Sequence, residues 1–173
     1  MRVKLLHADY SGCGSYRIIW PAENLRKQGF DAQAAPALQP EDIYGKTMKR
    51  IARVLKVVLK LFPKKTAIKI DNYFMRYAKK QFDVIVWQRH AETQTFMNAL
   101  VAKRLGTKVV FEVDDLLNAI DKYSPAKVAY DLKTQENMMK MMMIADAVTV
   151  TTDYLKGQLA GFNPNIYVLP NSL

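Results

Sequence analysis

A single cysteine, Cys13, stands among 173 residues, so no disulfide can form within the chain. That excludes the small extracellular scaffolds stapled by paired cysteines, and it suits a reducing, cytoplasmic setting. No uninterrupted apolar run approaches the ~20 residues of a membrane helix. The opening MRVKLLHADY has no long apolar core and meets Asp9 early, which argues against a secretion signal. There is no Walker A phosphate loop, no internal repeat and no low-complexity linker. His, Cys and Glu do not cluster at ligand spacing, so no dedicated metal site is expected.

Acidic residues are nearly missing from one stretch. Between Tyr44 and Lys80 there are twelve Lys or Arg and one acid, Asp71, a net +11. The whole chain carries +10, so everything else sums to −1. Any acidic partner should therefore meet the protein at this segment. It reads as two helices, roughly 46–62 and 66–80, parted by Pro63. On the first, Ile51, Val54, Leu55, Val58, Leu59 and Phe62 form one face, with Lys49, Arg50, Arg53, Lys56 and Lys60 opposite. Three readings of this basic face stay open: a solvated surface over a packed apolar face, an anionic membrane surface, or nucleic acid or another polyanion.

Half of the residues are apolar, enough for one sizeable core, and the length suggests one domain over 1–173. Outside the basic segment, strands and helices alternate. VKLLHA (3–8) reads as a buried strand, followed by Gly12 and Gly14 as a turn, Pro21 early in a helix, and Gly29 as its stop. FDAQAA (30–35) is a weak strand. DVIVWQ (83–88), KVVFEV (108–113), AVTVTT (147–152) and NIYVLP (165–170) read as further strands. Helices are expected over 92–105, closed by Gly106, over about 127–145 through the methionine-rich NMMKMMMIA, and after Thr152 or Asp153 as a cap. This alternation predicts an α/β fold, a doubly wound parallel sheet with an inserted basic helical pair at about 44–80. Ligands of such sheets gather where the strand carboxyl ends open into a crevice.

Chemistry-bearing residues stand at those ends. Gly12-Cys13-Gly14 would offer backbone N–H groups and close approach to a phosphate, with Arg17 as a cation beside it. A third glycine is missing where Arg17 stands, so a nicotinamide or flavin dinucleotide site is not expected. Glycines serving backbone geometry alone are the equally weighted alternative. Gln88-Arg89-His90 ends one strand, and His90 is a candidate base or hydroxyl ligand. Glu112, Asp114 and Asp115 end the next, close enough to raise one another's pKa or to recruit a cation; an Asp cap on the following turn is the plain alternative.

Four stretches carry a resemblance. HADYSGCGSYRIIWPAENLRKQGFD, VIVWQRH, KVVFEVDDLL and ADAVTVTTDYLKGQL…NIYVLPNSL resemble, in order and spacing, the N-terminal domain of GT-B glycosyltransferases, group 1 and family 4-like. The glycine turn and Arg17 are similar to those of phage-encoded members. The resemblance implies a Rossmann-like, acceptor-side domain, with residues 170–173 starting the hinge to a C-terminal donor domain. It implies transfer of a sugar from a nucleotide-diphosphate sugar to an acceptor hydroxyl, with no cofactor or metal and a lean towards retention. Carried onto this chain, Gly12, Cys13, Gly14 and Arg17 would hold the donor diphosphate. His90 and Asp114 would serve catalysis, and Asp115, Gln88 and Arg89 would line the acceptor side. Little or no transfer is expected from these 173 residues alone. The basic helices would suit peripheral attachment to the inner face of a membrane. The rival is a non-enzymatic Rossmann-like module that binds an anion, nucleic acid or a membrane.

Overall fold

The most apolar strands, VIVW and KVVFEV, take the centre of the sheet, where both faces are covered. A computed structural model of the protein describes residues 1–10, 12–38, 42, 79–116 and 131–171. In chain order its elements are β1 (Arg2–Leu6), α1 (Gly12–Gly14), a π-helical segment (Ser15–Ile19), α2 (Trp20–Lys27), β2 (Asp31–Ala35), β3 (Val84–Gln88) and α3 (Thr93–Arg104). These are followed by β4 (Lys108–Val113), α4 (Leu132–Ile144), β5 (Ala147–Val150), α5 (Asp153–Leu159) and β6 (Ile166–Val168). All pairings are parallel, in the order β2-β1-β3-β4-β5-β6. This is a Rossmann-like α/β fold.

Strand alternation divides the core into two layers. Val3, Leu5 and Ala32 pack against Ile18 and Ala22, with Val84 and Val86 beside them. On the other face, Ile85, Trp87, Val109, Phe111 and Val113 meet Ala99 and Ala102 of α3, Met138, Met141 and Met142 of α4, and Leu155 and Leu159 of α5. The methionine cluster is thus largely core filling, although Met143 faces outward. Helix ends follow the expected chemistry. Thr152 accepts from Leu155 N, Asp131 accepts from Thr134 N, and Gly29 and Gly106 take the left-handed conformation that a side chain would strain.

One local expectation is corrected. Gly12 and Gly14 do not form a turn ahead of the helix; they are its first turn, and Gly14 is in the right-handed helical region. The helix therefore starts well before Pro21, which falls inside it. Proline cannot donate to the carbonyl four residues back, that of Arg17, and its ring crowds that carbonyl. The wider π segment ends two residues before Pro21, with Trp20 N donating to Ser15 O. The predicted basic helices, with Lys49, Arg50, Arg53, Lys56 and Lys60, lie outside the described residues. Only their last two residues, Lys79 and Lys80, are described, and these are not helical. Among the described residues, no helix is long and apolar enough to cross a membrane.

Candidate functional site

β1 lies between β2 and β3, so the chain leaves it to one side and later returns on the other. In such sheets a reversal of this kind marks the carboxyl ends of the flanking strands, here β1 and β3, as the usual ligand position. His7, Asp9, Gln88, Arg89, His90, Glu112, Asp114 and Asp115 all follow or end strands at this edge. The helical run from Gly12 to Lys27 begins beside it.

Arg89 is the organising cation. Its Nη2 donates to Asp9 Oδ2 at 2.7 Å, its Nε lies 3.3 Å from Asp114 Oδ1, and its Nη1 lies 3.9 Å from Asp115 Oδ2. The carboxylates at the end of β4 thus have their cation from the chain itself. Arg89 has a φ of 52°, the only positive φ at a non-glycine position among the described residues. A bulky side chain resists that conformation, and a held outlier of this kind tends to sit at a functional site.

The glycine helix is tied to the same group. Gly14 N donates to Asp9 Oδ1 at 3.2 Å. A Cβ on Gly14 would lie 1.9 Å from the Asp9 carbonyl oxygen, so glycine is required here by the chain's own backbone. Gln88, expected on the acceptor side, is fully buried. Its Oε1 accepts from Ala8 N and its Nε2 donates to the Cys13 carbonyl, both at 3.1 Å. It stitches β3 to the loop and helix after β1 and has no free face for a ligand. Cys13 Sγ lies 3.5 Å from the Tyr16 hydroxyl.

Arg17 does not stand free beside a phosphate position. Its side chain is 5% exposed, and both Nε and Nη2 lie 2.7 Å from Glu112 Oε1. Nη1 donates to the Leu169 carbonyl and reaches Asn171 Oδ1 at 3.4 Å. Burial pushes the Glu112 carboxyl up to about 7 from its ordinary 4.5, against the pull of Arg17; nearby Asp114 adds to the rise.

His90 Nε2 donates to the Pro36 carbonyl at 3.2 Å, joining the ends of β3 and β2. Burial lowers the His90 pKa, against the opposing effect of Glu92 and the Pro36 carbonyl, which favours a neutral ring. His7 Nδ1 donates to the Asp9 carbonyl at 2.9 Å and holds that residue in place.

The structure therefore brings together Arg89, Asp114 and Asp115, with the exposed Asp115 at the rim. It sets His90 on the β2 side, and it turns Gln88 and Arg17 inward. Two residues were missed in the sequence. Asp9 is one, and its only local signal was its place directly after the apolar run VKLLHA. Glu112 is the other as a partner for Arg17, and no local signal marks a pair 95 residues apart. His90 Nδ1 and Glu112 Oε2 are buried side-chain atoms at this edge that make no hydrogen bond, while Arg17 Nη2 and Asp114 Oδ1 are held by ion pairs alone. Native interiors keep few such atoms, and those they keep tend to mark sites of binding or chemistry. No protein-family model and no curated protein matches the chain.

Proposed function

We propose that this domain is the acceptor-side half of a GT-B glycosyltransferase, holding a hydroxyl-rich acceptor at the carboxyl edge of β1, β3 and β4. The supporting observation is the cluster of Arg89 with Asp9, Asp114 and Asp115 at that edge, beside His90 Nδ1, which makes no hydrogen bond. Sugar hydroxyls both donate and accept, so they suit a surface that mixes carboxylates with an arginine. In transfer, the acceptor oxygen bonds to the anomeric carbon of the donor sugar. The nucleotide diphosphate leaves with the bonding electron pair, and the acceptor proton passes to a nearby base, Asp114 or the neutral His90. Leaving-group stabilisation would fall mostly to the donor domain, because Gly14 N is engaged by Asp9 and Arg17 by Glu112. Gly12 and Cys13 remain proposed diphosphate contacts.

Titration of the 15N-labelled protein with hexoses and short oligosaccharides, and separately with nucleotide-diphosphate sugars, tests this. Shifts centred on Asp9, Arg89, His90, Asp114 and Asp115 are expected with saccharides. Loss of these shifts in Asp114→Asn, with the fold retained, would support the assignment. The +11 carried by residues 44–80 favours a second reading, a module for nucleic acid or an anionic membrane. Salt-sensitive binding to DNA or to anionic vesicles, with no saccharide response at the sheet edge, would replace the first reading with this one.

A further inference from the structure

We infer that Arg17 and Glu112 form a proton-controlled tether that positions the chain leaving β6. Arg17 is the mechanical link. Its guanidinium joins three places far apart in sequence: the π segment that carries it, Glu112 near the end of β4, and Leu169 and Asn171 beyond β6. The separation from Arg17 is 95 residues to Glu112 and 152 to Leu169. The planar fork makes this possible, since one face of the guanidinium serves the carboxylate while Nη1 serves the β6 side. The π segment places Arg17 and Ile18 together in the interior, where a uniform α-helix would shift their facing by part of a turn.

The pair is incompletely bonded. Glu112 is 3% exposed, and its Oε1 takes both contacts from Arg17, while Oε2 has no hydrogen-bond partner. The charged groups facing Glu112 are Arg17 from the helix, Arg89 from the end of β3 and Asp114 from its own strand end. Ionised, this carboxylate holds an oxygen that only water would satisfy. Protonated, it sheds its charge and with it most of the cost of burial, and Oε1 can still accept from Arg17. Opening the tether returns Glu112 to water, where its proton leaves more readily than in the closed form. Proton release therefore favours opening, and the tether loosens as pH rises from about 4.5 to about 7.

Leu169 is a built-in reporter, because its amide donates to Val150 O at 2.7 Å and exchanges only when this segment lifts. Amide hydrogen exchange followed by NMR, corrected for the intrinsic rate, would be compared at pH 5 and pH 8, with Val86 and Val110 as core references. In the unaltered protein, Leu169 exchange should rise several tens of fold at most and about threefold at least, with the references flat. Glu112→Gln mimics the protonated form and should stay protected at both pH values. Arg17→Lys keeps the charge but loses the fork, so Leu169 should exchange faster already at pH 5. Asn171→Ala, at an exposed position, should speed Leu169 modestly without altering the pH response. A rise below about threefold in the unaltered protein, an equal rise in Glu112→Gln, or an unchanged rate in Arg17→Lys would overturn the inference. Should Glu112→Gln fail to fold, the contrast between Leu169 and the reference amides in the unaltered protein decides alone. None of these readouts uses a sugar, so they stand or fall apart from the transferase reading.

Discussion

The two ends of this sheet treat charge in opposite ways. At the amino end, Asp146 accepts from Lys103 Nζ at 2.8 Å, Val109 N at 2.9 Å and Lys108 Nζ at 3.1 Å. Burial pushes the Asp146 carboxyl up, but these donors outweigh it and hold it at about 2. Nearby, Asn163 Nδ2 donates to the carbonyls of Met142 and Ala145, and the Thr107 hydroxyl to that of Phe82. At the carboxyl end, Glu112 is pushed the other way, to about 7, and His90 Nδ1 and Glu112 Oε2 are buried without a hydrogen bond. The amino end closes loops and fixes strand starts. The carboxyl end leaves two buried polar atoms unbonded.

The largest effect should come from breaking the carboxyl-end pair. Glu112→Ala leaves the buried Arg17 guanidinium without the acceptor that its Nε and Nη2 share, and should cost about 3–5 kcal/mol of unfolding free energy below about pH 7, read by urea denaturation. Next is the pH response. A folded-state pKa of about 7 against an ordinary 4.5 means the folded protein holds the Glu112 proton more tightly. Stability contributed by Glu112 is full below about pH 4.5 and is lost as pH rises to about 7, by up to about 3 kcal/mol. Glu112→Gln should remove that decline from a series of denaturation curves. Gly14→Ala forces a carbon against the Asp9 carbonyl and should cost about 1–3 kcal/mol. It should also blunt any saccharide response at Arg89, because Asp9 must move. Asp146→Ala should cost about 1–2 kcal/mol, because Val109 N loses its acceptor while the two lysines regain water. Its pH signature has the opposite sign. Asp146 contributes stability above about pH 3.8 that fades as pH falls towards 2. Equal costs and like-signed pH slopes at the two ends would erase the contrast.

Much of the architecture was legible because it depends on neighbours in sequence. Apolar runs marked β3 and β4, a cap at Thr152 or Asp153 announced α5 and proved to be Thr152, and Gly29 and Gly106 closed their helices. The helix start was misplaced because a glycine pair looks like a turn until a backbone carbonyl, here that of Asp9, presses against it. Arg89, Asp114 and Asp115 were chosen for their places at strand ends, and the parallel sheet does bring them together. What was not legible was the direction of each charge. Whether Arg17 faces a ligand or Glu112 depends on a π segment and on β4, which no local pattern joins. The same holds for Gln88, whose two bonds are made to residues about 80 positions away.

The pairing of Val3 with Val84 closes a loop of about eighty residues at the centre of the sheet. Closure entropy grows only with the logarithm of loop length, about 0.6 kcal/mol per doubling. Loop entropy alone would therefore let the stretch between β2 and β3 vary widely in length at little cost in stability. Folding speed carries the consequence instead, since β1 cannot meet β3 until the intervening chain has been made and gathered in.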